Sequence, residues 1–449
     1  MDALHRRDFL RRSAATGAAL SVTTVLAGAG TATADTTTTV AQILAHVESA
    51  NIVVYDPGTS DERSKICIVV MYGSSRETDA LPNVAMQRFA ALGYRAANCA
   101  PQDGYFIDQV QYLSNSIDWI KSNINGVEKV VLWGNSRGCN LTSAYQRIAE
   151  NGAATFQGDG MFLPIPDMTL TPADGIIHCD ANHGFMVNCL ASLATNLVSD
   201  DSVMARTKEL DPLRPANGYL GNGVAHYDDE FCQKFWRAQA RRYNRLLGDA
   251  KKRWEKIQAG KGMFSDDEPF TVVMGFGNVN AYQLYSHDRR FYSRTKGKCK
   301  LLHKDGSITT QVVPSLLTAV GDPGNFEAMQ YSYRTTVSEF LYLGMHVDEE
   351  KFGYNAYELF GVGFDNNFSS ANGNARHISA PTLAVGRTAG SEFEVAEWIY
   401  NDSIAPKKDL VFIEGETHGG GNLDPDKYGD VVSLENNYID QWLRATFTD

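Results

Sequence analysis

The sequence predicts an α/β fold with a mostly parallel central sheet, helices on both faces and a large inserted cap. Two observations predict it. Short apolar, β-branched runs alternate with helical patterns over 65–179 and again over 381–445, which is the βαβ rhythm of a parallel sheet. Between these parts, from about 185 to 376, the rhythm breaks and the chain becomes long, charged and aromatic. We therefore expect one domain interrupted by an insertion.

The predicted elements of the first part alternate in order between strand and helix. Strands are predicted at 65–71, 94–98, 127–133 and 175–179, and helices at 84–92, 107–123 and 140–150. The second part has the same rhythm. Strands are predicted at 381–386 and 408–413, and helices at 395–401 and 434–445, while a long basic helix is expected at 229–257 inside the insertion.

The N-terminus has the pattern of an export signal. Arg6 and Arg7 precede a weakly apolar run at 18–29 and a small-residue cleavage site at 32–34. A membrane span needs about 20 apolar residues, more than this run supplies. We therefore expect residues 1–34 to direct export by the twin-arginine machinery and to be removed, leaving a secreted or periplasmic protein without a membrane anchor. The expected order of segments is signal 1–34, core 35–184, cap 185–376 and core 377–449.

Composition indicates a folded protein that does not bind nucleic acid. The chain has 449 residues, of which 43% are hydrophobic and 21% charged. The first 34 residues hold four arginines and two aspartates, so the remainder carries 37 basic and 51 acidic side chains and a net charge of −14. Binding to a phosphate backbone requires a cationic surface, which this balance does not supply. Seven cysteines occur without a Cys-x-x-Cys motif, and Cys189 and Cys232 are candidates for a disulfide in an exported chain.

No cofactor or metal is expected. The histidines have no metal-ligand spacing, and no His-Glu-x-x-His motif occurs. Residues 424–435 match part of a calcium loop at Asp424, Asp426 and Glu435, but Tyr428 stands where an oxygen ligand is needed. This segment is therefore interpreted as a polar turn before the last helix.

The first candidate catalytic residue is Ser136, in the motif Gly-Asn-Ser-Arg-Gly at 134–138. The motif follows a predicted strand directly and precedes a predicted helix. Small residues on both sides of the serine allow a sharp turn that projects its hydroxyl at the carboxyl edge of the sheet. Ser136 is therefore the predicted nucleophile.

The second candidate is His418, which lies among glycines at 415–421 after the last predicted strand. A flexible, exposed loop lets an imidazole reach a serine hydroxyl and act as its general base. The order and spacing of these motifs resemble the α/β-hydrolase superfamily over about 50–184 and 377–449. The resemblance implies an oxyanion hole formed by the backbone N–H groups of Arg137 and Ser74. Tyr72 stands where the superfamily usually has histidine.

The acid that would orient His418 is ambiguous. The superfamily usually places an aspartate shortly after the strand at 381–386, but Ala389 occupies that position. A variation on the pattern places the acid after the preceding strand, where Asp180 stands at the same edge as Ser136. We therefore predict Asp180 as the acid, with Glu392 as the alternative and Glu394 after it.

The resemblance implies a serine hydrolase that cleaves an ester, or secondarily an amide or lactone, through an acyl-Ser136 intermediate. The aromatic cap predicts a bulky, partly apolar small-molecule substrate. Two alternatives stay open at this stage. One is a hydrolase of carbon–carbon bonds on the same fold, and the other is a non-catalytic binding protein.

Overall fold

The computed structural model describes residues 25–26, 41–47, 50–73, 80–101, 104–156, 163–199, 206–275, 282–317 and 332–448. Apart from 25–26, the predicted signal lies outside this range. The strands are β1 Val25–Leu26, β2 Ala41–Val47, β3 Ala50–Asp56, β4 Ile66–Tyr72, β5 Arg95–Pro101, β6 Lys129–Ser136, β7 Gly175–Ala181, β8 Tyr219–Gly221, β9 Val224–Ala225, β10 Pro269–Val273, β11 Arg294–Leu302, β12 Ile308–Pro314, β13 Ser332–Thr336, β14 Gly353–Tyr354, β15 Leu359–Phe360, β16 Thr382–Ala389 and β17 Lys408–Thr417.

The helices of the described segments alternate with these strands in the two outer parts of the chain. They are α1 Ala80–Ala91, α2 Phe106–Asn123, α3 Arg137–Asn151, α4 Phe185–Ser192, α5 Asp229–Gln258, α6 Val337–Tyr342, α7 Ala371–Ala375, α8 Val395–Asp402, α9 Pro425–Tyr428 and α10 Val431–Phe447. No described helix combines the length and apolar character needed to cross a bilayer.

The main sheet has the strand order β1-β2-β3-β5-β4-β6-β7-β16-β17-β11-β12. Its centre, from β5 to β17, is parallel, whereas β2 and β3 are antiparallel at one side and β12 is antiparallel at the other. The predicted fold class, a mostly parallel sheet flanked by helices, is confirmed. The carboxyl ends of the parallel strands meet at one edge, so loops after β6, β7, β16 and β17 become neighbours.

Burial on both faces explains why the central strands are continuous apolar runs. In β4, Val69 and Met71 belong to the apolar core on one face, and Ile68 and Val70 belong to the core on the other. Successive side chains of a strand point to opposite faces, so a strand covered on both sides needs an apolar residue at every position. The two cores hold the central strands in place, and the candidate site lies at the carboxyl ends of these strands.

Part of the segment predicted as a cap pairs with the main sheet. Strands β11 and β12 form a hairpin that pairs with β17, so residues 294–314 extend the sheet at its edge. The sequence analysis missed them because β11, which lies between β17 and the edge strand β12, carries four cationic side chains that break the apolar pattern of the central strands. The boundaries 185–376 stay a prediction.

The long helix of the insertion, α5, packs its apolar side against the larger apolar core. Asp228 caps its N-terminus by accepting a hydrogen bond from the N–H of Phe231, and Phe235 and Tyr243 are buried in the same core as β4. All seven cysteines are buried and free, so Cys189 and Cys232 are not joined.

Candidate active site

Ser136 lies at a strained turn between β6 and α3. Its backbone has φ 58° and ψ −127°, a conformation that is rare for a non-glycine residue. The neighbouring glycines make the turn possible. A Cβ on Gly134 would lie 2.6 Å from the N of Cys139, and a Cβ on Gly138 would lie 2.0 Å from the carbonyl oxygen of Met71. In a turn of this kind between a strand and a helix, a serine side chain is exposed at the carboxyl edge of the sheet.

Asp180 emerges beside Ser136 from the adjacent strand. The register of β6 and β7 pairs Asn135 with Cys179. It next pairs Ser136 with Ala181, which leaves Asp180 as the extra residue of a β-bulge. Asp180 has φ 47°, so the bulge re-aims its side chain along the edge of the sheet.

The carboxylate of Asp180 is enclosed by the end of β16. Asp180 is 1% exposed, and its Oδ1 accepts a hydrogen bond of 3.4 Å from the N–H of Arg387. A Cβ on Gly390 would lie 2.2 Å from Oδ2, so only glycine fits at this point of the loop. The carboxylate is therefore fixed from the side opposite to β6.

His418 follows β17 directly and turns back toward β7. Its Nδ1 atom lies 2.6 Å from Oδ2 of Asp180, while its side chain stays 36% exposed. A short hydrogen bond to a carboxylate fixes the tautomer in which Nδ1 carries the proton and leaves Nε2 to accept one. The structure thus brings together the imidazole of His418 and the acid ranked first from the sequence.

Asn135 connects the loop of His418 to the elbow. Its Nδ2 atom donates to the carbonyl oxygen of Cys179 at 3.0 Å and to that of His418 at 3.3 Å. Asn135 precedes Ser136 and Cys179 precedes Asp180. One buried side-chain amide on the segment of Ser136 therefore contacts the backbone of the two segments that carry Asp180 and His418.

The electrostatics of His418 favour its protonated form. Burial alone would lower the pKa of His418, but the hydrogen bond and the negative charge of Asp180 outweigh it, and Glu392 adds to their effect. Arg387 acts in the opposite direction. The pKa of His418 lies above its usual value of 6.5 as a result. An imidazole held this way is a stronger base toward a hydroxyl proton.

The alternative acid, Glu392, is committed to a different histidine. Oε2 of Glu392 lies 3.1 Å from Nδ1 of His183 and also accepts from the backbone N–H of that residue. Oε1 of Glu394 lies 2.7 Å from Nε2 of the same ring. His183 is fully buried, with its ring against those of Tyr292 and Trp398. Burial alone would lower the pKa of His183. The two carboxylates outweigh this effect and raise the pKa to about 9.

Of the two predicted oxyanion donors, one is described. Arg137 is the first residue of α3, so its backbone N–H lies at the N-terminus of that helix. A Cβ on Gly73 would lie 3.1 Å from the N of Arg137, which brings the loop after β4 against that donor. Ser74 lies outside the described residues.

A cavity of about 460 Å³ opens beside Arg137. Phe185 and Tyr333 line one wall with ring centroids 4.9 Å apart, and Tyr105 lines another. The guanidinium of Arg137 lies 5.5 Å from the centroid of Phe185. Glu339 is also part of the lining, and burial raises its pKa to about 7. The cavity combines aromatic walls with a few ionisable groups.

Over the described ranges, no group of three or more His, Cys, Asp or Glu side chains is arranged to hold a metal ion. The partial calcium motif is used differently. Asp424 caps α9 by accepting from the N–H groups of Asp426 and Lys427, and Glu435 binds the guanidinium of Arg387. The side chains needed for calcium therefore do not converge.

No family model matches the chain, and no curated protein matches it. Among solved structures, Est1E from Butyrivibrio proteoclasticus is 9% identical, with 91% of this chain and 99% of that chain covered and a TM-score of 0.41. A soluble variant of monoglyceride lipase from Saccharomyces cerevisiae is 10% identical, covering 97% and 100%, with a TM-score of 0.38. The α/β hydrolase GrgF from Penicillium sp. sh18 is 14% identical, covering 96% and 100%, with a TM-score of 0.39. Similarity at this level does not assign an activity.

Proposed function

We propose that the protein is a serine hydrolase of the α/β-hydrolase type that cleaves esters through an acyl-enzyme intermediate. The observation that carries the proposal is the hydrogen bond of 2.6 Å between His418 and Asp180, formed at the sheet edge where the strained turn presents Ser136. A buried acid, an imidazole and an elbow serine are the three parts of an acyl-transfer site.

The reaction begins with attack of the Ser136 oxygen on the substrate carbonyl while Nε2 of His418 takes the hydroxyl proton. The N–H of Arg137 donates to the oxyanion, and such a donor contributes about 3 to 4 kcal/mol to the transition state. His418 then gives its proton to the departing alcohol, which leaves an acyl-Ser136 ester. Water attacks this ester with His418 again as base and releases the carboxylic acid. Asp180 stabilises the imidazolium in both steps.

The cavity beside Arg137 supports a bulky, partly aromatic ester as the substrate. Its volume of about 460 Å³ lies in the range of pockets for organic molecules, and Tyr105, Phe185 and Tyr333 supply aromatic walls. Arg137 follows Ser136 directly in the chain and is one of the lining residues, so we propose that the bulky group of the substrate occupies this cavity. Amides and lactones follow esters as candidates.

The test is hydrolysis of a panel of aryl and alkyl esters by the wild-type chain and by Ser136→Ala. We expect turnover of some members by the wild type and loss of turnover in Ser136→Ala with an unchanged melting temperature. A folded wild-type protein that cleaves only diketones would point to carbon–carbon bond hydrolysis. One that binds esters without turning them over would point to a binding protein. Either result contradicts the proposal.

We also propose export by the twin-arginine route, on the strength of Arg6, Arg7 and the small-residue site at 32–34. Replacement of both arginines by lysine keeps the charge and removes the recognised pair. The altered precursor should stay unprocessed inside the cell, while the unaltered one yields a shortened exported form. Equal export of the two would contradict this part of the proposal.

A further inference from the structure

Arg387 lies on the strand between the acid and the base. The acid Asp180 belongs to β7 and the base His418 follows β17, while β16 runs between them. Arg387 is the sixth residue of β16 and is 1% exposed, which is unusual for a side chain with a permanent charge. A buried guanidinium requires several acceptors, so its partners indicate its role.

The guanidinium of Arg387 joins helix α10 to the loop of His418. Glu435, on α10, accepts from Nε at 2.8 Å and from Nη2 at 2.9 Å in a bidentate pair. Nη1 donates to the backbone carbonyl oxygen of His418 at 2.8 Å. The same residue also donates its backbone N–H to Asp180. Arg387 therefore contacts both partners of the His–Asp pair through different groups.

The charge balance around Arg387 keeps the guanidinium in place. Oε1 of Glu416, which is fully buried, lies 3.2 Å from Nε of Arg387. Two carboxylates face one cation, and burial together with the charge of Glu435 raises the pKa of Glu416 well above its usual value. These surroundings favour the protonated form of Glu416. Glu435 remains to pair with Arg387 in the geometry that carboxylate and guanidinium prefer.

We propose that Arg387, held by Glu435, is a positioning residue that fixes the peptide carbonyl of His418 and so aims the imidazole between Asp180 and Ser136. This inference rests on the proposed hydrolase function. The loop that carries His418 is rich in glycine and has little stiffness of its own, with φ 78° at Gly420. Hydrogen bonds from Arg387 and Asn135 to one carbonyl replace that stiffness.

Lysine cannot substitute for arginine here. A guanidinium has five N–H donors in a rigid fork, which lets it hold a carboxylate and a peptide carbonyl together, whereas an ammonium is a point charge on a flexible stem. Arg387→Lys should therefore keep the positive charge but no longer hold the carbonyl of His418 in position. A misplacement of about 1 Å at a reacting group can cost about 100-fold in rate.

The experiment compares Arg387→Lys, Arg387→Met and Glu435→Gln with Arg147→Lys as a matched control. Arg147 is a second arginine with 1% exposure. It donates to Thr155, to the carbonyl of Asp365 and to Asn374, and it lies over the ring of Phe156. We expect the Arg387 variants to lose about 100-fold in kcat with little change in KM. Glu435→Gln should lose less, and Arg147→Lys should change only the melting temperature. Equal losses of kcat in Arg147→Lys and Arg387→Lys would overturn the proposal.

Two further readouts separate positioning from general stability. In a His418→Ala background, adding Arg387→Met should cost no further activity, because groups that act as a unit are not additive. A further loss as large as in the wild-type background would overturn the proposal. The second readout is an NMR measurement in a Ser136→Ala background, and it requires no turnover. The proton resonance of the hydrogen bond from His418 to Asp180 should vanish on Arg387→Lys. Its persistence unchanged would overturn the proposal even if the hydrolase function stands, and loss of the resonance would support it even if no ester is cleaved.

Discussion

Nδ1 of His418 lies 2.6 Å from Oδ2 of Asp180, although 238 positions separate the two residues in the chain. The sheet makes this contact possible, because β7 and β17 end at the same edge with only β16 between them. Asp180, the proposed acid, lies at the end of β7, the strand next to β6, and Ala389 stands at the end of β16, where the α/β-hydrolase pattern that the sequence resembles has aspartate. The consequences of that arrangement can be measured.

Asp180→Asn should remove most of the turnover without unfolding the chain. The amide cannot stabilise an imidazolium and allows the wrong tautomer of His418, and the corresponding change in serine proteases lowers kcat by about 10⁴-fold. Steady-state kinetics and the melting temperature give the two measurements. Glu392→Gln is the comparison, and its loss of kcat should be far smaller. A larger loss in Glu392→Gln would assign the acid's role to Glu392.

The pH profile of kcat/KM should have an acid limb with its midpoint above pH 6.5, because the pKa of His418 is raised from that value by Asp180. A general base works in its neutral form, so activity rises as the pH climbs through this pKa and is lost below it. The control is Asp180→Asn, whose residual activity should have its midpoint at lower pH. A wild-type midpoint below 6.5 would contradict the electrostatics described for the site.

Gly390→Ala should lower activity, because the new Cβ would lie 2.2 Å from Oδ2 of Asp180 and must displace the carboxylate. Gly419→Ala is a matched control in the loop next to His418, where a Cβ would meet nothing within 4 Å. Kinetics of both variants test the point. Similar activities in the two would show that the position of Asp180 is not constrained by Gly390.

The buried ion pairs of His183 should make stability fall at alkaline pH. The folded pKa of about 9 lies above the usual value of 6.5, so the stabilisation is complete below pH 6.5 and is lost as the pH rises through about 9. Glu394, whose pKa burial raises, acts in the same direction. Melting temperatures from pH 6 to 10 should show the loss in the wild type and a weaker dependence in His183→Gln. Equal slopes in the two would contradict the assignment.

Local residue patterns were sufficient for the parallel centre of the sheet and for the turn at Ser136. Strand β4 is apolar from Ile66 to Met71, and glycines on both sides of the serine allow the close approach of α3 that the structure has. Such features depend on neighbours in the sequence. The hairpin at 294–314 was not predicted because its exposed positions carry lysine and arginine. These residues are equally common in polar loops, so their pattern does not distinguish a strand from a loop.

The choice between Asp180 and Glu392 depends on tertiary contacts that the sequence does not display. Glu392 is engaged by His183, and that pairing leaves Asp180 as the carboxylate beside His418. Arg387 had no local signal at all. Its strand predicts only burial, and its partner Glu435 lies on the last helix in a segment that resembled a calcium loop. Long-range pairs of this kind become visible only when the fold brings them together.

The most direct test of the central claim, that Ser136 is a nucleophile activated by His418, is labelling with a fluorophosphonate followed by mass analysis of the proteolytic peptides. The wild-type chain should carry a single adduct on the peptide containing Ser136. Labelling should be absent in Ser136→Ala and strongly slowed in His418→Ala. A folded wild-type protein that stays unlabelled, or carries the adduct on another residue, would contradict the claim.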